Sequence, residues 1–149
     1  MLDWLKTNAT AARDKLANEV SKFRNREFME AVTAGCALVA AADGSIDSAE
    51  KQKMMGFIQG SNELKVFDAK DVIQSFNDTC AKFEFDMQIG RAEALKSVGK
   101  LRSKNDAARL LVRVCCAIGS ADGSFDEQEK AVCRSICVEL GLTPSDFDL

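Results

Sequence analysis

Apolar residues recur at steps of three and four along the whole chain, and no run alternates polar with apolar as a half-buried strand would. Leu2, Leu5, Ala9, Ala12, Leu16, Val20 and Phe23 form one stripe on an amphipathic first helix. The polar, basic stretch 22–27 (KFRNRE) breaks it. A second helix is expected over about 26–42, with Phe28, Val32, Cys36 and Val39 inward. A third runs from Ser48 to about Gly60, with Met54, Phe57 and Ile58 inward. A fourth starts at Asp68 or Ala69 and passes through Val72, Ile73, Phe76 and Cys80. Asp86 starts a fifth, through Ile89, Leu95 and Val98. Asn105 or Asp106 starts a sixth, through Leu110, Leu111, Val114 and Ile118. A seventh covers 128–140 and stops at Gly141. Thr143 and Pro144 read as the cap and first residue of a final helical turn. Met54, Met55, Phe57, Phe76, Phe83 and Phe85 fall at helical spacing and are expected in the core. Gly90 and Gly99 lie inside the fifth helix at about 1 kcal/mol each relative to Ala, which points to close packing or a break. The fold class is all-α: about seven helices in a single domain spanning 1–149.

The chain contains an internal repeat. Residues 42–51 read ADGSIDSAEK and residues 121–130 read ADGSFDEQEK, identical at seven of ten positions at an offset of 79. The same offset maps Cys36 onto Cys115 and Val39 onto Ile118, so 26–61 is related to 105–141. Two related halves of this kind are expected to pack about a pseudo-two-fold axis as two three-helix units, with the first helix added.

Each copy offers Asp-Gly-x-x-Asp-x-x-Glu: Asp43, Asp47 and Glu50, then Asp122, Asp126 and Glu129. Carboxylate oxygens are the ligands that Ca²⁺ and Mg²⁺ prefer. The pattern matches the second half of an EF-hand loop, but the first acidic ligand positions hold Val39 and Ala41, or Ile118 and Ser120. A complete EF-hand is therefore excluded. One copy supplies too few ligands for a tight site, whereas two copies together supply six carboxylates. A second account needs no metal. Gly44 and Gly123 fit left-handed helix stops, and Asp47/Glu50 and Asp126/Glu129 have capping-box spacing. That account leaves Asp43 and Asp122 without a role. Both can hold at once, because a capping carboxylate keeps a second oxygen.

Composition narrows the chemistry. The 149 residues contain no histidine, which excludes His-based general bases, His-activated nucleophiles and the usual zinc enzyme sites. The net charge of −3 argues against a nucleic-acid binder. Charge is uneven: residues 1–120 carry a net +2 and residues 121–149 a net −5, so the C-terminal end favours a cation. Uncharged stretches such as 31–42 and 114–121 are too short to span a bilayer, and the start lacks an export signal. A soluble cytoplasmic protein with reduced thiols is expected. Lys22, Arg24 and Arg26, with Leu2, Trp4 and Leu5 ahead of them, suit an anionic surface, but Asp3, Asp14 and Glu19 dilute that case, and a helix packed on the core with a solvated polar linker is the favoured account.

The stretches KFRNREFM (22–29), DGSIDSAEKQKMMGFIQGSNELKVFD (43–68), FEFDMQIG (83–90), ADGSFDEQEK (121–130) and GLTPSDFDL (141–149) resemble the TerB-like family of tellurite-resistance proteins across essentially the whole chain. The resemblance implies an all-helical fold of two three-helix units. It implies a cytoplasmic protein, with a peripheral place at the inner face of the membrane, that works beside a TerC-like membrane protein and TerD-type calcium-binding proteins. It also implies chelation of a metal ion by the motif acids Asp43, Asp47, Glu50, Asp122, Asp126 and Glu129.

Thiols reduce tellurite, so the six cysteines offer a rival chemistry. No CxxC spacing exists, and five of the six share helix stripes with Val, Ile and Leu. They are expected to be buried and inert. The sequence therefore points to a non-enzymatic module that binds a divalent cation, with Ca²⁺ favoured because every ligand is oxygen. The alternative is a metal-free interaction module that docks a basic partner on its acidic face.

Overall fold

The computed structural model describes residues 9–121, 123 and 125–149. Leu2, Trp4 and Leu5 lie outside them. The helices are α1 (Ala9–Val20), α2 (Arg26–Ala40), α3 (Ser48–Gly60), α4 (Ala69–Phe85), α5 (Met87–Gly99), α6 (Asn105–Gly119) and α7 (Glu127–Glu139). Short 3₁₀ turns follow α1 (Ser21–Phe23), α3 (Asn62–Leu64) and α7 (Pro144–Phe147). No strand occurs among the described residues.

Side-chain caps set the boundaries. Asn25 Oδ1 accepts from Phe28 N at 2.8 Å to start α2, and Asp68 Oδ1 accepts from Lys70 N at 2.8 Å to start α4. Asp86 ends α4 and caps α5, accepting from Ile89 N at 3.0 Å, so the two helices join with no linker. Two starts lack the expected device. Thr143 stands at its cap position without a side-chain bond, and Lys104, preceding α6, pairs with Glu27 of α2 instead.

One hydrophobic core runs through all seven helices. Its centre is the pair α2 and α6, each with eleven buried residues. They approach closely: a Cβ at Gly35 would lie 2.5 Å from Cys115 Sγ. Helices α4 and α5 close over α2, with a 2.6 Å hydrogen bond between the buried hydroxyls of Thr33 and Ser75. Helix α1 is tied down by Arg13, whose Nε donates to Glu63 Oε1 at 2.8 Å.

Two core expectations fail. Phe85 is 81% exposed and Ile89 47% exposed. The buried stripe of α5 is Gly90, Ala94 and Val98, at steps of four, and at Gly90 α5 lies so close to α4 that a Cβ would meet the Phe83 backbone. Ile89 is about 100° off that stripe. Phe83 takes the contact with Gly90, and Phe85, the last residue of α4, points outward at the corner.

All six cysteines are free and buried. Burial pushes the Cys80 and Cys137 thiols up to about 12. Hydrogen bonding to Cys36 and then burial raise Cys115, and hydrogen bonding to Cys116 and then burial raise Cys133. Thiolates are the reactive form. The native chain should therefore leave all six thiols unmodified by Ellman's reagent near about pH 8. Rapid stoichiometric release of colour from the folded protein would contradict this.

Candidate functional site

The two acidic motifs occupy equivalent loops, one joining α2 to α3 and the other α6 to α7. Helix α2 ends at Ala41 (φ −94°, ψ 14°) and α6 at Ser120 (φ −97°, ψ 14°). Gly44 N donates to Ala41 O, and Gly123 N to Ser120 O, both at 3.0 Å. Gly44 and Gly123 have φ of 97° and 83°, a region that side-chain-bearing residues rarely adopt. In both loops the following Asp caps the next helix. Asp47 Oδ1 accepts from Glu50 N at 2.8 Å, and Asp126 Oδ1 accepts from Glu129 N at 2.7 Å.

The glutamates then diverge. Glu129 Oε1 accepts from Asp126 N at 3.2 Å and closes the capping box. The expected box in the first copy does not close: Glu50 lies beside Asp43, and its Oε2 is buried without a hydrogen-bond partner. Burial raises the Glu50 pKa, followed by a side-chain hydrogen bond to Asp43 and the charges of Asp43 and Asp47, while the Asp47 backbone opposes the shift. Asp43 also has a local role that sequence reasoning withheld from it. Its Oδ1 accepts from Ser45 N at 3.2 Å, an Asx turn that shapes the loop.

Both loops open onto one cavity of about 220 Å³. Asp43, Glu50, Asp126 and Glu129 line it, with Lys53, Val39, Met54 and Gly119 among the other walls. Gly119 lets the two loops meet, since a Cβ there would lie 3.1 Å from the Phe125 ring and 3.3 Å from Val39. Four of the six predicted acids are among its lining residues. Asp47 is an exposed cap outside the lining, and Asp122 lies outside the described residues. Among the described residues, no group of three or more acids or thiols is gathered that could hold a metal ion. The chemistry nevertheless fits a hard cation. Every acidic donor is a carboxylate, and a buried, unpartnered carboxylate oxygen is a cost that a cation relieves.

Sequence reasoning missed one member of this cavity and one buried acid outside it. Lys53 reads as a surface lysine on α3, and only the fold turns it into the acidic cavity. Glu63 reads as a loop acid but is fully buried against Arg13. Among the described residues no helix is long and apolar enough to cross a membrane.

A family model described as tellurite resistance protein TerB matches residues 29–149. A relative from Alcaligenes sp, named tellurium resistance protein TerB, is 41% identical over 112 residues, which is 75% of this chain and 92% of the relative. No solved structure matches. The chain belongs to the TerB family of tellurite-resistance proteins.

Proposed function

We propose that the chain is a non-enzymatic module of a tellurite-resistance system that binds a divalent cation between its two acidic loops and acts through protein partners. One observation carries the reading: four acids from two distant stretches of sequence line one cavity, and Glu50 Oε2 is buried there without a partner. Asp43, Glu50, Asp126 and Glu129 would hold the ion, with Asp122 as the expected fifth acid. Calcium is favoured over zinc because the donors are oxygen. In this reading the two loops are halves of an internal repeat about a pseudo-two-fold axis. The ion fixes the ends of α2 and α6 relative to the starts of α3 and α7, and partners sense that change. The partners are a TerC-like membrane protein and TerD-type proteins, met in the cytoplasm at the inner face of the membrane.

Thermal unfolding tests the ion. Calcium at a hundredfold excess over its Kd should stabilise the chelator-treated protein by about 2.7 kcal/mol. Glu50→Gln separates the site from a surface effect. Because its folded pKa is raised, Glu50 contributes stability that is present below the ordinary glutamate range and lost as pH rises through the raised value. At neutral pH the cation-free Glu50→Gln protein should therefore melt above wild type, yet gain less from calcium. Equal calcium shifts in both proteins would count against the site.

A specific observation favours a second reading, the metal-free docking module. Asp47, Asp126 and Glu129 are already engaged in caps. In that case carboxylate substitutions weaken partner binding while chelators have no effect.

A further inference from the structure

Four arginines are half-buried among the described residues: Arg13, Arg109, Arg113 and Arg134. Arg13 pairs with Glu63, Arg109 with Asp146 and Arg134 with Glu127. Arg113 alone has no carboxylate partner among the described residues. It stands one turn beyond Arg109 on α6, and both guanidinium groups lie against one ring. The centroid of Phe147 is 5.1 Å from Arg109 and 5.6 Å from Arg113. Phe147 is buried, so the ring is a fixed platform for both. Like charges one helical turn apart repel. Asp146 answers Arg109 at 3.5 Å, and nothing answers Arg113 in the same way. Arg109, Arg113 and the exposed Lys22 line a cavity of about 290 Å³ where the end of α1 meets α6. Phe23 and Leu110 give it an apolar wall. A second cavity shares Glu19 and Arg113 with the first and continues along α1 past Leu16 and Lys15.

We propose that this groove along α1 and α6 binds an acidic segment of a protein partner, with a partner carboxylate on the Arg113 guanidinium; this rests on the reading above that the chain acts through protein partners, and not on the cation. A guanidinium presents its N–H donors in a planar fork that matches a carboxylate with two parallel bonds. The Phe147 ring holds that fork in place before a ligand arrives, which lowers the entropy cost of binding. Lys22 lines the first cavity and Lys15 the second, both exposed, so positive charge continues along the groove. Glu19 and Asp106 also line the first cavity. They count against a small free oxyanion and suit a longer ligand that mixes acidic with apolar side chains. Leu16, Leu110 and Phe23 are the contacts for its apolar positions. No residue of either acidic repeat lines this groove, so a partner segment here leaves the acidic cavity open.

The test is fluorescence anisotropy of a labelled Glu-Leu-Glu-Glu-Leu-Glu peptide titrated with the full chain at fixed ionic strength. Wild type is compared with Arg113→Met, which keeps an apolar stem against Phe147 but loses the donors. Lys22→Met removes a charge at the exposed rim, and Arg91→Met removes one from an exposed arginine outside the groove. Arg113→Met should bind about tenfold more weakly than wild type, from the loss of charge-assisted hydrogen bonds. Lys22→Met should lose about threefold, and Arg91→Met should stay within about twofold, as a distant exposed charge does. If Arg113→Met melts well below wild type, the contrast between Lys22→Met and Arg91→Met decides instead. Equal losses in the groove variants and Arg91→Met, or no loss in the groove variants, overturn the groove. Displacement of the peptide by inorganic phosphate beyond that by sodium chloride of matched ionic strength would mark an oxyanion pocket and overturn it too. So would binding to phosphatidylserine vesicles but not to the peptide. Absence of peptide binding by wild type overturns the groove and leaves the cation site standing, since calcium stabilisation reads that site separately. Partner binding that carboxylate substitutions weaken would then place the partner on the acidic face instead.

Discussion

Replacing Arg13 with Ala should destabilise the chain by about 3 kcal/mol, read as a lower urea midpoint at unchanged slope. Glu63 is completely buried, at 0% exposure, in the 3₁₀ turn after α3. Arg13 of α1 reaches it with two donors, Nε at 2.8 Å and Nη2 at 3.4 Å. Removing the arginine leaves a carboxylate with neither water nor its partner cation, and such groups typically cost about 3–5 kcal/mol. The lower end applies because the Arg13 side chain is 30% exposed, so water can enter from that side. A domain of this kind has only about 5–15 kcal/mol in total. The pair itself need not be favourable over an apolar one. Arg13→Leu combined with Glu63→Leu should therefore cost less than Arg13→Ala alone, which a double-mutant cycle would read as strong coupling. If Arg13→Ala moved the midpoint by no more than an ordinary surface change, the burial argument would be wrong.

Gly90→Ala should cost about as much, against the usual preference of helices for alanine. Inside an exposed helix the change gains about 1 kcal/mol. At Gly90 the added Cβ would lie 2.6 Å from Phe83 Cα and 2.7 Å from Phe83 N. Those are backbone atoms of α4, and they cannot turn aside as a side chain can. The junction at Asp86 gives no slack, since one residue ends α4 and caps α5. The helices must separate, and overpacking of this kind costs about 1–3 kcal/mol or more. Gly56 in α3 is the control. Nothing lies within 4 Å of a Cβ there, so Gly56→Ala should raise the melting temperature while Gly90→Ala lowers it. Changes of the same sign at both positions would contradict the packing argument.

These two effects also mark where sequence reading stopped. The helices were legible almost residue by residue, because their caps are local: Asp47, Asp86 and Asp126 each precede an amphipathic run and bind an N–H within three residues. The repeat was legible as identity at a fixed offset, and it led to the two loops that share a cavity. What escaped depends on contacts distant in sequence. Glu63 meets a partner fifty residues away, and nothing near it in the chain distinguishes it from a solvated acid. Phe85 and Ile89 were misplaced because apolar residues at helical spacing were taken as the inward stripe, whereas the buried stripe of α5 is Gly90, Ala94 and Val98. Glu50 stays out of a capping box that Glu129 closes, although the spacing is the same in both copies.

The most direct test of the cation site is calorimetric titration of Ca²⁺ into chelator-treated wild type and the Asp43→Asn/Asp122→Asn double variant. The expected result is saturable binding by wild type that the double variant loses, with one ion per chain for a site shared by the two loops. No binding heat with Ca²⁺, Mg²⁺, Mn²⁺ or Zn²⁺, and no thermal stabilisation by any of them, would contradict it and leave the acids as helix caps and a docking surface.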